Sequence, residues 1–182
     1  MGPVEVVVAA DVLVAALSRV SAAAVRFPAM PPKTNDPYAD VIGAFVAADG
    51  DFALILSEEI VGQVATALVD ERGLAWEFAA VDQAIDVLVG IAEHSQGGLV
   101  APASPAALPP EVSPIEAAAL RASVARDLGF PRAVVTDGPG LRRLRTWLPR
   151  GLPWPDDQVV ILLGPGPFRD LVEQARWRYR RM

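Results

Sequence analysis

The stretch that most constrains this chain is Val4 to Leu17, VEVVVAADVLVAAL. Val6, Val7 and Val8 are β-branched and stiff at χ1, which suits a strand buried on both faces. Two small residues and a carboxylate follow, Ala9-Ala10-Asp11, and the pattern then turns helical in VLVAALSRV. A strand that becomes a helix within two or three residues is the first half of a βαβ unit. In open α/β sheets ligands bind where such strands end, so Asp11 lies where a site is expected.

The same alternation continues. Strand one covers 4–9 and helix one 11–24. Residues 28–37 hold four prolines and read as a surface loop. Asp36 or Asp40 caps the next helix, whose apolar stripe is Ala39, Ile42, Phe45 and Val46. Strand two is Phe52 to Leu56. Ser57 is an N-cap with Glu58 and Glu59 in the first turn of a helix that runs to about Arg72. A further amphipathic helix spans about Ala75 to His94, and Leu99 to Ala101 is a short strand. Residues 102–114 form a second Pro-rich connection. Ser113-Pro114-Ile115-Glu116 is a capping box opening a helix to about Leu128. Strand 133–136, a 137–140 loop, a short basic helix 141–147, a 149–155 loop, strand 159–163, a Gly164 to Pro167 turn and a helix from Phe168 to about Arg180 complete the chain. Strands followed repeatedly by helices predict a three-layer α/β/α sandwich around a mainly parallel sheet. Its 182 residues, 52% of them hydrophobic, suffice for one cored domain spanning 1–182.

Composition narrows the function classes. Cysteine is absent, which excludes disulfides and cysteine zinc sites. No apolar run is long enough to span a bilayer, and the N-terminus lacks the basic start of a signal peptide, so a cytoplasmic protein without a membrane partner is expected. The net charge of -6 is unevenly spread: four Lys/Arg against sixteen Asp/Glu up to Leu120, and twelve against six from Arg121 on. Such asymmetry marks a surface for an anionic partner or a self-complementary contact between copies, such as a homodimer. The C-terminal Arg176-Trp177-Arg178-Tyr179-Arg180-Arg181, within the basic tail 176–182, interleaves cations with aromatics. With Arg142, Arg143 and Arg145 these arginines form a candidate nucleic-acid-binding set, since Arg pairs with phosphate and aromatics stack on bases.

The order of elements resembles the PIN-domain family, small Mg²⁺- or Mn²⁺-dependent ribonucleases, many of them toxins of bacterial toxin–antitoxin pairs. The resemblance rests on Val7-Val8-Ala9-Ala10-Asp11-Val12-Leu13-Val14, on Leu56 to Val64, on Ala133 to Leu141, and on Ile161 to Phe168. It implies clustered carboxylates around a divalent ion, which takes oxygen ligands and activates water for phosphodiester attack. Here the chain departs from the family. The positions corresponding to its four acidic ligands fall on Ala9, on Gln63, near Glu116 or Ala117, and on Gly138. Each missing carboxylate nevertheless has an acidic neighbour: Asp11, Glu59, Glu116 and Asp137. These four form the alternative catalytic and metal-binding set. Their other reading is structural, with Glu59 and Glu116 as helix-terminal charges and Asp137 as a turn residue.

Other motifs are poor in chemistry. His94, the one histidine, reads as a helix-end residue. Gly164 to Pro167 and Gly138-Pro139-Gly140 contain prolines that remove the amide donors a phosphate loop needs. The sequence therefore points to a PIN-like domain that has lost the standard metal site and carries no cofactor. It is expected to act as a binding or regulatory module on RNA or on an antitoxin-like or other protein partner. The alternative is a Mg²⁺/Mn²⁺-dependent ribonuclease with a rearranged acidic site.

Overall fold

The computed structural model describes residues 3–19, 35–46, 50–70, 74–101, 110–125, 132–151 and 160–179, with the backbone alone for 146–151, 160 and 176–179. Strand β1 (Val4–Val8) lies at the centre of a five-stranded sheet. It pairs in parallel with β2 (Phe52–Leu56) on one side and β4 (Arg132–Val135) on the other. β3 (Gly98–Leu99) extends the sheet beyond β2, and β5 (Val160–Leu163) beyond β4, giving the order β3-β2-β1-β4-β5, all parallel. Val6, Val7 and Val8 are buried, as strands covered on both faces must be. The helices are α1 (Ala10–Arg19), α2 (Pro37–Val46), α3 (Glu58–Val69), α4 (Phe78–His94), α5 (Pro114–Ser123), α6 (Gly138–Gly151) and α7 (Pro165–Tyr179). Together with the sheet they form the three-layer α/β/α sandwich that the alternation predicts. No described helix is long and apolar enough to cross a membrane.

Local chemistry fixes the helix starts. Asp36 Oδ1 accepts from Tyr38 N at 2.9 Å and opens α2. Ser57 Oγ accepts from Ile60 N at 3.3 Å and opens α3. Ser113 and Glu116 exchange the two bonds of a capping box at α5, with Pro114 in the first turn, where its missing N–H costs nothing.

Several boundaries differ from the sequence expectation. α4 begins at Phe78, not Ala75, because Ala75 has φ +49° and the Ala75 and Trp76 amides donate back to Asp70 O and Leu68 O. Gly138-Pro139-Gly140 is the first turn of α6 instead of a loop, since Leu141 N reaches Asp137 O and a proline at the second helical position blocks nothing. α6 also continues through Pro149 to Gly151, where a loop is expected. α7 starts at Pro165, with Phe168 N donating to Gly164 O. The expected extensions of helix one over 20–24 and of α5 over 126–128 lie outside the described residues, as do 28–34, 102–109 and 180–182 of the Pro-rich loops and basic tail.

Two contacts tie the layers together. Phe168 on α7 is fully buried; it stacks on Phe45 of α2 at 5.8 Å and meets Phe52 of β2 edge-on at 5.6 Å. At the end of α4, a Cβ on Gly97 would stand 1.9 Å from Leu54 O, so only glycine lets the chain run this close to β2 before it becomes β3. Phe168→Ala should cost about 3–5 kcal/mol through lost burial and an unfilled cavity. Urea unfolding monitored by circular dichroism measures it, as a lower midpoint at unchanged slope.

Candidate functional site

The chain runs outward from β1 to β2 and β3, then crosses back to β4 and β5 on the other side of β1. The strand order therefore reverses between β1 and β4, and the crevice beyond their carboxyl ends is the expected ligand position. Ala9-Ala10-Asp11 leaves β1 there and Thr136-Asp137 leaves β4. Ala9 N donates to Val135 O at 2.8 Å, and Ala9 O accepts from Val12 N and Leu13 N, so the strand passes into α1 without a loop.

Asp11 and Asp137 face each other across this junction. Asp11 Oδ1 accepts from Val12 N at 2.8 Å. Burial raises the Asp11 carboxyl above its ordinary value, and the Asp137 charge adds to this; the Val12 and Asp137 amides offset part of it. Asp137 Oδ1 accepts from the Tyr38 hydroxyl at 2.9 Å and also from Gly138 N. Burial, and then its bond to Asp137, raises the Tyr38 phenol. The Tyr38 ring lies under the Arg19 guanidinium at 4.8 Å, and Arg19 pairs with Asp36 at 2.6 Å. The α2 cap thus positions the tyrosine that reaches β4.

Glu116 belongs to a second group. Its side chain is 2% exposed, whereas its partner Arg143 on α6 is 47% exposed. Arg143 Nε donates to Glu116 Oε1 at 2.9 Å and Oε2 at 3.2 Å, and Ser113 N donates to Oε2 at 2.7 Å. α6 comes this close because position 140 is glycine. A Cβ there would lie 2.7 Å from Glu116 Oε1 and 2.8 Å from Thr136 Oγ1. Thr136 Oγ1 is buried and has no hydrogen-bond partner among the described residues. Beside this group, Gln63 Nε2 donates to Pro114 O at 2.9 Å, while its Oε1 is buried without a partner among the described residues. Glu59 on α3 is gripped from α5 by the Arg121 guanidinium, Nε to Oε2 at 2.9 Å and Nη2 to Oε1.

The four alternative ligands are therefore split between an aspartate pair and two separate ion pairs. Among the described residues no three His, Cys, Asp or Glu side chains lie close enough together to hold a metal ion. Arginine neutralises Glu116 and Glu59, while a tyrosine and backbone amides occupy Asp137 and Asp11. A hard divalent ion needs several free oxygen ligands around one point, and the other positions of the resemblance, Ala9, Gln63 and Gly138, supply no carboxylate. The residues present do not fit such an ion.

The candidate nucleic-acid set is divided too. Arg142, Arg143 and Arg145 lie on α6 and are exposed. Arg143 is bound to Glu116, and Arg145 Nη2 donates to Leu162 O at 3.4 Å. Arg176 and Arg178 lie on the last turns of α7, with side chains outside the description; Arg180 and Arg181 lie outside the described residues. His94 is exposed at the end of α4. Tyr38, Arg121 and the Glu116 partnership of Arg143 carry no sequence signal, because each contact joins distant segments.

No protein-family model, no curated protein and no solved structure matches this chain.

Four substitutions probe the crevice. Arg143→Ala leaves a buried carboxylate without its cation and should cost about 1–3 kcal/mol, part of which Glu116→Gln should restore in a double-mutant cycle of urea unfolding. Gly140→Ala should destabilise by about 1–3 kcal/mol, because the clash with Glu116 and Thr136 outweighs the gain in helix propensity; the same unfolding measurement reads it. For Asp11, the folded state holds the carboxyl above its ordinary 3.8, so ionisation costs stability. That cost is absent below pH 3.8 and complete above the raised value. Asp11→Asn should raise the melting temperature at neutral pH, and the gain should vanish as the pH falls below 3.8.

Proposed function

We propose that this chain is a PIN-like α/β domain without the metal-dependent nuclease chemistry of that family, acting as a binding or regulatory module. The observation that carries this reading is the occupancy of the crevice carboxylates. Glu116 and Glu59 already hold arginine guanidinium groups, and Asp137 and Asp11 already accept protein hydrogen bonds. A guanidinium fixed on a carboxylate neutralises the charge that would attract a divalent ion, and it activates no water. The module's partner is RNA or a protein. The RNA version rests on α6, which carries Arg142, Arg143, Arg145 and Arg150 and no acidic residue. A second reading, a ribonuclease with a rearranged site, rests on Asp11 and Asp137, which lie together at the strand-order reversal.

Calorimetric titration with Mn²⁺, alongside incubation of single-stranded RNA with Mn²⁺ or Mg²⁺, separates the two readings. The first expects no saturable heat and intact RNA. A stoichiometric Mn²⁺ site together with cleavage, both lost in Asp11→Asn, would establish the second. RNA binding that weakens with salt and falls evenly across sequences in Arg142→Gln/Arg145→Gln would identify RNA as the partner. Absence of RNA binding at low salt would leave a protein as the partner.

A further inference from the structure

The uneven charge of the sequence becomes a spatial polarity in the fold. α4 packs against β2 and β3 at one edge of the sheet, and α6 packs against β5 at the opposite edge. α4 holds Asp82, Asp86 and Glu93 and no Lys or Arg, with Glu77 as its N-cap. α6 holds four arginines and no Asp or Glu. Phe78, Asp82 and Asp86 follow one another at four-residue spacing, so they form one solvent-facing stripe of α4. Phe78 heads it, 79% exposed. Asp82 and Asp86 are exposed and make no ion pair among the described residues. A phenylalanine this exposed, beside carboxylates with no ion pair among the described residues, leaves apolar area in water and gains little packing from those residues.

We infer that the α4 stripe of one copy of this chain docks against the basic face of α6 in a second copy, with Phe78 as the apolar anchor and Asp82 and Asp86 facing Arg142 and Arg145. Complementary charge on two edges of one molecule favours this occupant over an unrelated partner. The two patches differ, so the contact is heterologous: each copy that uses its α4 still offers its α6, and association continues beyond the dimer. This inference is independent of the chemistry assigned to the crevice.

Sedimentation velocity over a concentration series tests it, with nuclease-treated full-length protein. In low salt the average mass should keep rising with concentration past that of two chains, and it should fall back towards one chain in about 1 M salt, where charges are screened beyond about 3 Å. Asp82→Lys/Asp86→Lys and Arg142→Glu/Arg145→Glu should each weaken self-association at least about tenfold, as like charges replace opposite ones. Phe78→Ser should weaken it as well. Circular dichroism checks that these surface variants remain folded. The decisive arm mixes the two charge-reversed proteins: each is monomeric alone, and together they associate, because the unaltered α6 of one meets the unaltered α4 of the other and the two reversed faces are again opposite in charge. A wild-type protein that stays monomeric in low salt overturns the inference. So does a mixture that stays monomeric, an association that stops at the dimer, or one that disappears on nuclease treatment and is therefore bridged by RNA.

Discussion

The structure depends on one strand being hydrogen-bonded on both sides. β1 gives its backbone to β2 and β4 at once, so its side chains must face helices above and below the sheet, and only an uninterrupted apolar run meets that demand. Val6 to Val8 provide it, and Ala9, fully buried, continues the pairing by one bond to Val135 O. The strand cannot go further, because Ala9 O already accepts from the first turn of α1. The transition that places Asp11 beside Asp137 is thus a consequence of where β1 runs out of partners.

What fills that junction follows from the cost of removing a carboxylate from water. A buried anion needs donors or a cation, and the fold supplies them from its own side chains. Glu116 shows the arrangement most clearly. The capping box draws it inward, glycine at 140 lets α6 close over it, and Arg143 covers it with a guanidinium that water still reaches. The cation sits on the outside and the anion on the inside, so an external cation meets positive charge first. The same α5 helix sends Arg121 to Glu59. These two ion pairs neutralise the charges of Glu59 and Glu116 within the fold.

Much of the scaffold was legible because its determinants are local. Alternating valine-rich strands and amphipathic helices fixed the layer order, and Ser57 and Ser113 announced their helices three residues ahead of the bonds they accept. Glu116 was legible as a capping residue for the same reason. The misreadings were local as well: Gly138-Pro139-Gly140 looks like a breaker, yet at a helix start neither glycine nor proline has an intrahelical bond to lose. The site itself was far less legible. Tyr38 and Asp137 are 99 residues apart, Glu59 and Arg121 62, and Glu116 and Arg143 27. No spacing rule links such pairs; only the crossing from β3 back to β4 brings them together. The acidic neighbours of the missing ligands lay close to them in sequence, but proximity along the chain did not gather them around one point.

The strand order also explains why a charge imbalance along the sequence has consequences in space. Here the chain builds outward from β1 to one edge, returns, and builds outward to the other. The acid-rich first part, including α4, is carried to the β3 edge, and the arginine-rich α6 to the β5 edge. Within the molecule a few ion pairs join the two parts, such as Arg169 with Asp40 between α7 and α2. α4 and α6 pack at opposite edges of the sheet and cannot reach each other. Asp82 and Asp86 on α4, exposed and in no ion pair among the described residues, remain available to a neighbour, and edge strands this short, with Arg145 reaching over Leu162 O, leave little backbone to pair instead. Contact between copies is therefore expected through helix surfaces and charge, not through extension of the sheet.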